Sequence, residues 1–154
     1  MIDEPCCRKL IIRPMEIDDL EKILEIERKS FSFPWTYNIF FHELTLSRYA
    51  RYFILEKDKR IIGYLGFWLM RDNIHITNIA IAEKFRRKGY GGKFLKFIEE
   101  EAIVHKIKKI SLEVRKSNYI AQNMYRKFGY EVIKMWRNYY REEKEDALVM
   151  EKKL

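Results

Sequence analysis

The chain has 154 residues, of which 47% are hydrophobic and 15% aromatic, with only 6 glycines and 3 prolines. This composition excludes a disordered or repetitive protein and predicts one folded domain, residues 1–154, with a single core. The formal net charge of +8 favours anionic partners such as nucleic acids, acidic membranes or phosphorylated cofactors, and charge alone does not choose among them.

The start of the chain indicates its compartment. Residues 1–4 are acidic and lack the apolar core of a signal peptide, and the longest apolar stretch, 61–70, is too short to span a bilayer. Cys6 and Cys7 are adjacent, and because neighbouring cysteines rarely bridge each other we expect free thiols in a reducing compartment. These features predict a cytoplasmic protein that does not bind a membrane.

A strand and two helices are predicted for the first third of the chain, over 9–15, 18–29 and 36–46. Asp18 and Glu21 have the spacing of a capping box at the first helix, and Thr36 can cap the second. The loop between the two helices is rich in aromatic residues, including Phe33 and Trp35. Such side chains either cover the core beneath the loop or bind a substrate.

The middle of the chain has the pattern of a three-stranded meander. Tight turns at 58–59 and 72–73 join segments rich in β-branched and aromatic residues, which favours antiparallel neighbours. The predicted strands cover 49–57, 60–71 and 74–81.

Helices and strands alternate in the last third of the chain. A helix begins near Lys93 and ends near His105, and Ser117 and Asn118 can cap a further helix that Gly129 ends. The remaining elements are a strand over 110–114 and a hairpin over 131–139 and 146–151. The order β α α β β β α β α β β predicts a mixed sheet with helices on its faces.

The turn before the third helix has the composition of an anion site. Arg86, Arg87 and Lys88 supply charge, and the glycines after them let backbone N–H groups approach a phosphate at a helix start. Spacing excludes two phosphate-binding motifs, because Phe94 stands where the dinucleotide fingerprint needs a glycine and where a P-loop needs Ser or Thr after residues 92–93. A basic turn that only caps a helix remains an open alternative.

Metal-binding residues are not clustered in the sequence. His42, His75 and His105 are scattered along the chain, whereas metal sites usually combine His and Cys residues at short spacings. We therefore expect these histidines to be surface or packing residues and expect no metal.

The segment 86–91 resembles the Gln/Arg-x-x-Gly-x-Gly/Ala acetyl-CoA loop of the GNAT N-acetyltransferase superfamily. Nearly the whole chain is similar to its RimI-like branch, the ribosomal-protein alanine and protein N-alpha-acetyltransferases. The resemblance implies the GNAT fold, of class α/β (α+β), with a mixed, mostly antiparallel sheet of about seven strands flanked by four helices. The segments that carry it are 33–35, 78–81, 86–91, 112–115, 117–118, 121 with 125, 128–130, 137–140 and 145–147.

Site residues are also implied by the resemblance. Glu113 would be the general base that accepts the amine proton, and Tyr125 the general acid that protonates the leaving thiolate. Without the resemblance, Glu113 could pair with Arg115 or face solvent, and Tyr125 could be a core residue. The implied cofactor-binding residues are Ile79, Ala80, Ile81, Arg86, Arg87, Lys88, Gly89, Tyr90, Gly91, Gly92 and Asn118. The implied substrate-binding residues are Phe33, Trp35 and Tyr139.

The implied activity is transfer of an acetyl group from acetyl-CoA, without a metal, to the N-terminal α-amino group of proteins. The expected partners are protein N-termini, including ribosomal proteins or the ribosome, and we expect a monomer or weak homodimer. Two alternatives stay open. One is a GNAT enzyme that acetylates lysine side chains or a small amine. The other is a basic RNA- or ribosome-binding module that contacts phosphates through Lys84, Arg86, Arg87, Lys88 and Lys93.

Overall fold

A computed structural model describes residues 9–154, so Cys6 and Cys7 lie outside the described residues. Within this range it contains seven strands and four α-helices in the predicted order, which confirms the predicted fold class. The strands are β1 (Leu10–Pro14), β2 (Ala50–Lys57), β3 (Arg60–Leu69), β4 (Asn73–Ile81), β5 (Lys109–Arg115), β6 (Glu131–Tyr140) and β7 (Glu145–Lys153). The helices are α1 (Leu20–Ser30), α2 (Tyr37–Thr45), α3 (Tyr90–Val104) and α4 (Tyr119–Lys127), with 3-10 turns at Ile17–Asp19 and Glu83–Phe85.

The strands hydrogen-bond in the order β1-β2-β3-β4-β5-β7-β6. β1 with β2, β5 with β7 and β6 with β7 are antiparallel, whereas β4 and β5 are parallel. A parallel pair needs a long crossover connection, and α3 supplies it here. The register of this pair runs from Asn73 with Lys109 to Ile76 with Leu112, so β4 continues to Ile81 beyond its paired residues.

β6 is the last strand in this order, and nine of its ten residues are exposed. Its register with β7 is irregular between Val132 and Lys134 and again between Trp136 and Tyr140. Within the second irregularity Asn138 has a φ of 52°, and its N–H donates to the Asp146 carboxylate over 2.7 Å. Each irregularity bends the strand and increases its local twist.

Among the described residues, 9–66 together with Asn78–Lys88 form one compact unit, called the first unit below. Its core lies under α1 and α2, because the apolar residues of α1 recur at intervals of three and four and so share one face. The main buried side chains of this core are Leu20, Ile23, Leu24, Ile26, Phe40, Tyr52, Ile54 and Tyr64.

The predicted capping box at Asp18 and Glu21 is wrong, because a 3-10 turn precedes α1 and the capping box lies at that turn, between Glu16 and Asp19, while the Asp19 side chain makes no capping hydrogen bond to α1. The carboxylate of Asp19 accepts the backbone N–H of Glu16 over 2.7 Å and pairs with the Arg13 guanidinium over 2.8 Å. A neighbouring cation on β1 therefore selects Asp19 for this position. At α2 the predicted cap is confirmed, since Thr36 Oγ1 accepts the N–H of Ile39.

Phe67–Thr77 and Gly89–Leu154 form the second unit, which holds α3, α4 and β5–β7. α3 begins at Tyr90, three residues before the predicted start, so Gly91 and Gly92 lie inside the helix. A Cβ atom on Gly91 would lie 2.7 Å from Met124 Sδ, and one on Gly92 would lie 2.9 Å from the Phe128 ring. These two glycines therefore let α3 pack closely against α4, a reason that the sequence analysis did not foresee.

None of the helices within residues 9–154 combines the length and the apolar character that crossing a membrane requires.

Candidate active site

Glu113 lies on β5 in the second unit, and its side chain is partly exposed, at 21%. His75 Nε2 lies 2.7 Å from Glu113 Oε2, and His75 Nδ1 lies 2.9 Å from Ser111 Oγ. The parallel register places His75 beside Ser111, which brings the histidine of β4 within reach of Glu113 two residues further along β5. With a proton on Nε2, the imidazole donates to the carboxylate and accepts from the Ser111 hydroxyl.

This contact changes two expectations. The alternative that Glu113 pairs with Arg115 is wrong, because Arg115 Nη2 lies 2.7 Å from Glu143 Oε1 instead. His75 was expected to be a surface or packing residue, whereas it contacts the predicted base directly. The sequence carried one signal for this pair, since both residues lie on predicted strands, but their contact depends on a β4–β5 register that a sequence pattern does not determine.

Tyr125 lies on α4 in the same unit and is only 4% exposed. Its ring packs against the Tyr130 ring, with centroids 5.8 Å apart. Burial raises the pKa of the Tyr125 phenol well above its ordinary value of 10, so the hydroxyl stays protonated at neutral pH. A buried, protonated phenol can act as a proton donor.

The β6–β7 hairpin brings two tyrosines into the electrostatic field of Glu113. Tyr139 is half-exposed, and partial burial raises its pKa, with a further contribution from the Glu113 charge. Burial raises the pKa of Tyr140 to about 12. The Arg115 guanidinium lies 4.1 Å from the centre of the Tyr140 ring, and its ion pair with Glu143 ties the hairpin loop to β5.

Asn118 performs the predicted capping role at α4. Its Oδ1 accepts the N–H of Ala121 over 3.1 Å, which leaves the side-chain NH₂ group directed away from that bond. The residue before it is also held, because the N–H of Ser117 donates to Glu145 over 2.8 Å. The start of α4 is therefore fixed by hydrogen bonds on both residues of its predicted cap.

In the first unit, Arg86 fixes the basic turn. Its Nε donates to the carbonyl of Ile81 over 2.8 Å, and its Nη2 donates to Ser30 Oγ over 3.0 Å. The guanidinium thus joins the end of β4 to the end of α1. Arg87 is exposed with a φ of 60°, and Lys88 Nζ lies 5.9 Å from the centre of the Phe85 ring.

The remaining predicted cofactor-binding residues lie on either side of this turn. Ile79, Ala80 and Ile81 form the end of β4, beyond the residues paired with β5. Gly89 has a φ of 84°, as a residue without Cβ allows, and it precedes α3 without a side chain that could cap the helix. The first amides of α3, at Tyr90, Gly91 and Gly92, therefore form a helix start suited to an anion.

The aromatic loop between α1 and α2 contains one exposed and one packed ring. Phe33 is 56% exposed, whereas Trp35 is half-buried with its ring 5.4 Å from the Phe40 ring. The backbone N–H of Trp35 donates to Glu27 Oε1 over 3.1 Å. Each of the two interpretations of the loop therefore applies to one residue: Trp35 covers the core, and Phe33 is available to a ligand.

The structure thus brings Glu113, Tyr125, Tyr139 and Asn118 into one unit and adds His75 to them. Phe33, Trp35, Ile79–Ile81 and Arg86–Lys88 belong to the other unit. Among residues 9–154, no group of three or more His, Cys, Asp or Glu side chains could hold a metal ion.

Comparison with known proteins gives consistent matches. The profile of the Acetyltransferase (GNAT) family matches residues 20–130. A Bacillus subtilis protein, provisionally named a ribosomal protein bS18-alanine N-acetyltransferase, is 40% identical over 92% of this chain and 94% of its own length. An N-alpha-acetyltransferase of Sulfurisphaera tokodaii is 31% identical over 90% of each chain. The crystal structure of the Escherichia coli ribosomal-protein-S18-alanine N-acetyltransferase superposes with a TM-score of 0.86, at 26% identity over 94% of each chain.

Proposed function

The chain belongs to the GNAT acetyltransferase family, and from that premise we propose that it transfers an acetyl group from acetyl-CoA to the N-terminal α-amino group of proteins. The relatives from Bacillus subtilis and Sulfurisphaera tokodaii, named for N-terminal acetylation, support this activity. The observation that carries it is the hydrogen bond between His75 and Glu113, because it orients the carboxylate that would accept the amine proton. An α-amino group has a pKa near 8, roughly, so modest base assistance is enough at neutral pH.

The residues present suit acetyl-CoA. The uncapped start of α3 at Gly89 offers backbone N–H groups to a pyrophosphate, and Arg87 and Lys88 are exposed cations beside it in sequence. The end of β4 offers backbone groups to an amide-rich arm, and the NH₂ group of Asn118 is a further donor. Arg86 contributes indirectly, by holding the carbonyl of Ile81 and the shape of the turn.

In the proposed reaction, Glu113 and Tyr125 carry out the two proton transfers. The amine nitrogen attacks the thioester carbonyl carbon, a C–N bond forms and the C–S bond breaks. Glu113 accepts the proton that the nitrogen loses, and His75 keeps the carboxylate oriented by donating to it. Tyr125 donates a proton to the departing sulfur, and solvent then returns the two residues to their starting states.

Peptide binding is proposed for Phe33, Trp35 and Tyr139. Phe33 and Tyr139 are each at least half-exposed, and Trp35 holds the loop that carries Phe33. Aromatic side chains supply a large contact area at a small cost in side-chain entropy, which suits a flexible N-terminus. The proposed substrates are protein N-termini, including that of a ribosomal protein.

Ribosome association is proposed through a basic groove in the first unit, defined here by Lys22, Lys29, Lys59, Arg60 and Lys84. The groove has a volume of about 470 Å³, and its lining also includes the apolar residues Ile26, Ile61, Ile62, Ala82 and Phe85. Five cations line the groove together with two carboxylates, Glu25 and Glu83. Glu25 pairs with Lys22 and Lys29, so the cations outside these two ion pairs are Lys59, Arg60 and Lys84. Those three cations suit the phosphates of single-stranded RNA.

Charge reversal tests this association. Changing Lys59, Arg60 and Lys84 to Glu is expected to lower the salt slope of binding to a labelled single-stranded RNA by about 2, since each lost phosphate contact removes roughly 0.7. The matched control reverses Lys96, Lys108 and Lys127, which are exposed in the other unit. Equal losses in both variants would indicate only a general effect of net charge and refute the groove.

We also propose that residues 1–154 act as one GNAT domain, because the family match over 20–130 includes residues of both units. A cytoplasmic location and a monomer or weak homodimer complete the proposal. Sedimentation across a hundredfold range of protein concentration tests the last point, and a dimer that persists throughout would contradict it.

The experiment that tests the activity is release of the coenzyme A thiol from acetyl-CoA. One peptide has a free N-terminal Ala or Ser, and the matched peptide is blocked at its N-terminus and carries an internal lysine. Release with only the free N-terminus is the expected result. Release with only the lysine peptide would support the alternative of a lysine acetyltransferase, and release with neither would direct the search to small amines.

A further inference from the structure

Glu27 is a buried carboxylate that the proposed reaction does not use. It lies on α1 four residues after Ile23 and three after Leu24, and so it shares their core-facing side of the helix. Its side chain is only 2% exposed, and it takes part in no ion pair among the described residues. Oε2 is buried without a hydrogen-bond partner within residues 9–154. Such atoms are rare in folded proteins, because burying a polar group costs free energy, and each therefore calls for an explanation.

The one hydrogen bond of this carboxyl group goes to the aromatic loop. Oε1 accepts the backbone N–H of Trp35 over 3.1 Å. The backbone carbonyl of Glu27 accepts the N–H of Phe31, and this hydrogen bond closes the last turn of α1. Glu27 therefore binds both ends of the segment 31–35, one through its main chain and the other through its side chain.

Between these two points the loop has few means of holding its own shape. Pro34 has no N–H to donate, and Ser32 and Phe33 are exposed. The Trp35 ring is anchored against Phe40, so the backbone and the side chain of Trp35 together fix the end of the loop that carries the exposed Phe33. A glutamate is long enough to reach from the helix to this N–H group, which an apolar residue on the same face could not bind.

We propose that Glu27 is a positioning residue that holds the α1–α2 loop, through the Trp35 N–H group, in the conformation in which Phe33 and Trp35 bind the peptide substrate. The inference rests on the proposed function of the loop. It explains why a carboxyl group occupies a core position where a leucine or methionine would avoid the desolvation of a polar group.

Two substitutions separate the hydrogen bond from the volume of the side chain. Glu27→Met removes the acceptor at similar volume and is expected to raise the KM for a free N-terminal peptide about tenfold, the effect of one lost hydrogen bond of roughly average strength. Glu27→Gln keeps an acceptor oxygen and is expected to stay within about twofold of the wild type. The KM for acetyl-CoA is expected to be unchanged in both. The control is Glu21→Met, an exposed carboxylate on the same helix.

Two results would overturn the proposal. An unchanged peptide KM in Glu27→Met would leave Glu27 with a role in packing alone, and an equal defect in Glu27→Gln would exclude the acceptor oxygen as the cause. Should Glu27→Met not fold, Glu27→Leu offers a second apolar side chain of different shape.

Amide hydrogen exchange over 31–36 provides a readout that does not depend on activity. Glu27→Met is expected to speed exchange of the Trp35 amide at least fivefold, and Glu27→Gln to leave it near the wild-type rate, since only the former removes the acceptor. If the wild type acetylates no peptide while exchange changes as expected, the proposed function fails and the positioning of the loop stands. If peptides are acetylated and exchange does not respond, the positioning role fails alone.

Discussion

The end of α1 and the middle of β5 each place a glutamate in a different environment. Glu27 is buried, accepts one N–H from Trp35, and has a pKa that burial raises to about 7. Glu113 is partly exposed and hydrogen-bonded to His75, which itself contacts Ser111. A carboxylate that exchanges protons with a substrate must be accessible to that substrate, and its hydrogen-bond partner must be able to rearrange its own hydrogen bonds. One that holds a loop needs a fixed geometry, and burial provides it.

The largest effect is expected at Glu113 and Tyr125, the two residues proposed to transfer protons. Changing Glu113 to Ala together with Tyr125 to Phe is expected to lower kcat about 100- to 10,000-fold, the range typical of acid–base groups. Binding of acetyl-CoA, measured by calorimetry, should change by less than about twofold, because neither side chain is proposed to bind the phosphates. The control combines Glu100→Ala with Tyr49→Phe, both exposed. Near-normal turnover in the double variant would refute these roles.

The second effect concerns the stability cost of the buried glutamate. Because the pKa of Glu27 is raised to about 7 in the folded state from 4.5, the folded protein binds more protons than the unfolded chain between these values. Its free energy of unfolding therefore falls as pH rises through that window. Glu27→Gln has no such titration. Its free energy of unfolding is therefore expected to rise, relative to that of the wild type, by about 2 to 3 kcal/mol between pH 5 and pH 8.

Denaturant unfolding of both proteins at the two pH values measures this gain. Glu21→Gln is the matched control, since Glu21 is exposed on the same helix. If the free energies of unfolding of wild type and Glu27→Gln differ by the same amount at pH 5 and pH 8, Glu27 is ionised in the folded protein as well as in the unfolded chain. Burial would then not raise its pKa, and Glu27 would not differ from Glu113 in this respect.

A smaller effect is expected at His75, the hydrogen-bond partner of the proposed base Glu113. His75→Ala removes the donor to Glu113 and is expected to lower kcat about tenfold without changing the KM for acetyl-CoA. His75→Gln keeps an N–H donor and should recover part of the loss. Steady-state kinetics with a free N-terminal peptide measures both variants. Unchanged kcat in His75→Ala would mean that Glu113 needs no partner.

The smallest effect is expected at Ser111, which contacts Glu113 only through His75. Ser111→Ala removes the group that contacts His75 Nδ1 and is expected to lower kcat about two- to threefold, because the hydrogen bond acts only through the histidine. The same peptide assay measures it. In the double variant with His75→Ala the serine substitution should add nothing, and an additive loss would show that Ser111 acts independently of His75.

The sequence predicted the order of the elements because alternation, helical spacing and capping residues are local signals. Thr36 and Asn118 cap their helices as expected, and the mixed sheet with four helices is confirmed. The roles of Glu113, Tyr125 and the other site residues stay predictions. What the sequence could not supply depends on contacts between distant residues. The capping box lies between Glu16 and Asp19 rather than between Asp18 and Glu21, and Asp19 also pairs with Arg13 on β1.

The site shows the same division. The pair of His75 and Glu113 arises from the register between β4 and β5, which no local pattern encodes. Gly91 belongs to the segment that resembles the acetyl-CoA loop and Gly92 follows it, yet the contacts with Met124 on α4 and with Phe128 just after it give a packing reason for both glycines that only the fold reveals. Helical spacing places Glu27 on the same face as Ile23 and Leu24, but it does not predict burial of the carboxylate, since a charged residue on a helix is ordinarily exposed.

The irregular outer strand β6 has a consequence for how the protein behaves at high concentration. A straight edge strand with Ile133, Met135 and Trp136 exposed would offer a template on which another chain could add a strand. The two interruptions of its register bend that edge, and the charges of Lys134 and Arg137 lie among the apolar residues. The defects in this strand therefore act as protection against aggregation, and a more regular β6 would make a less soluble protein.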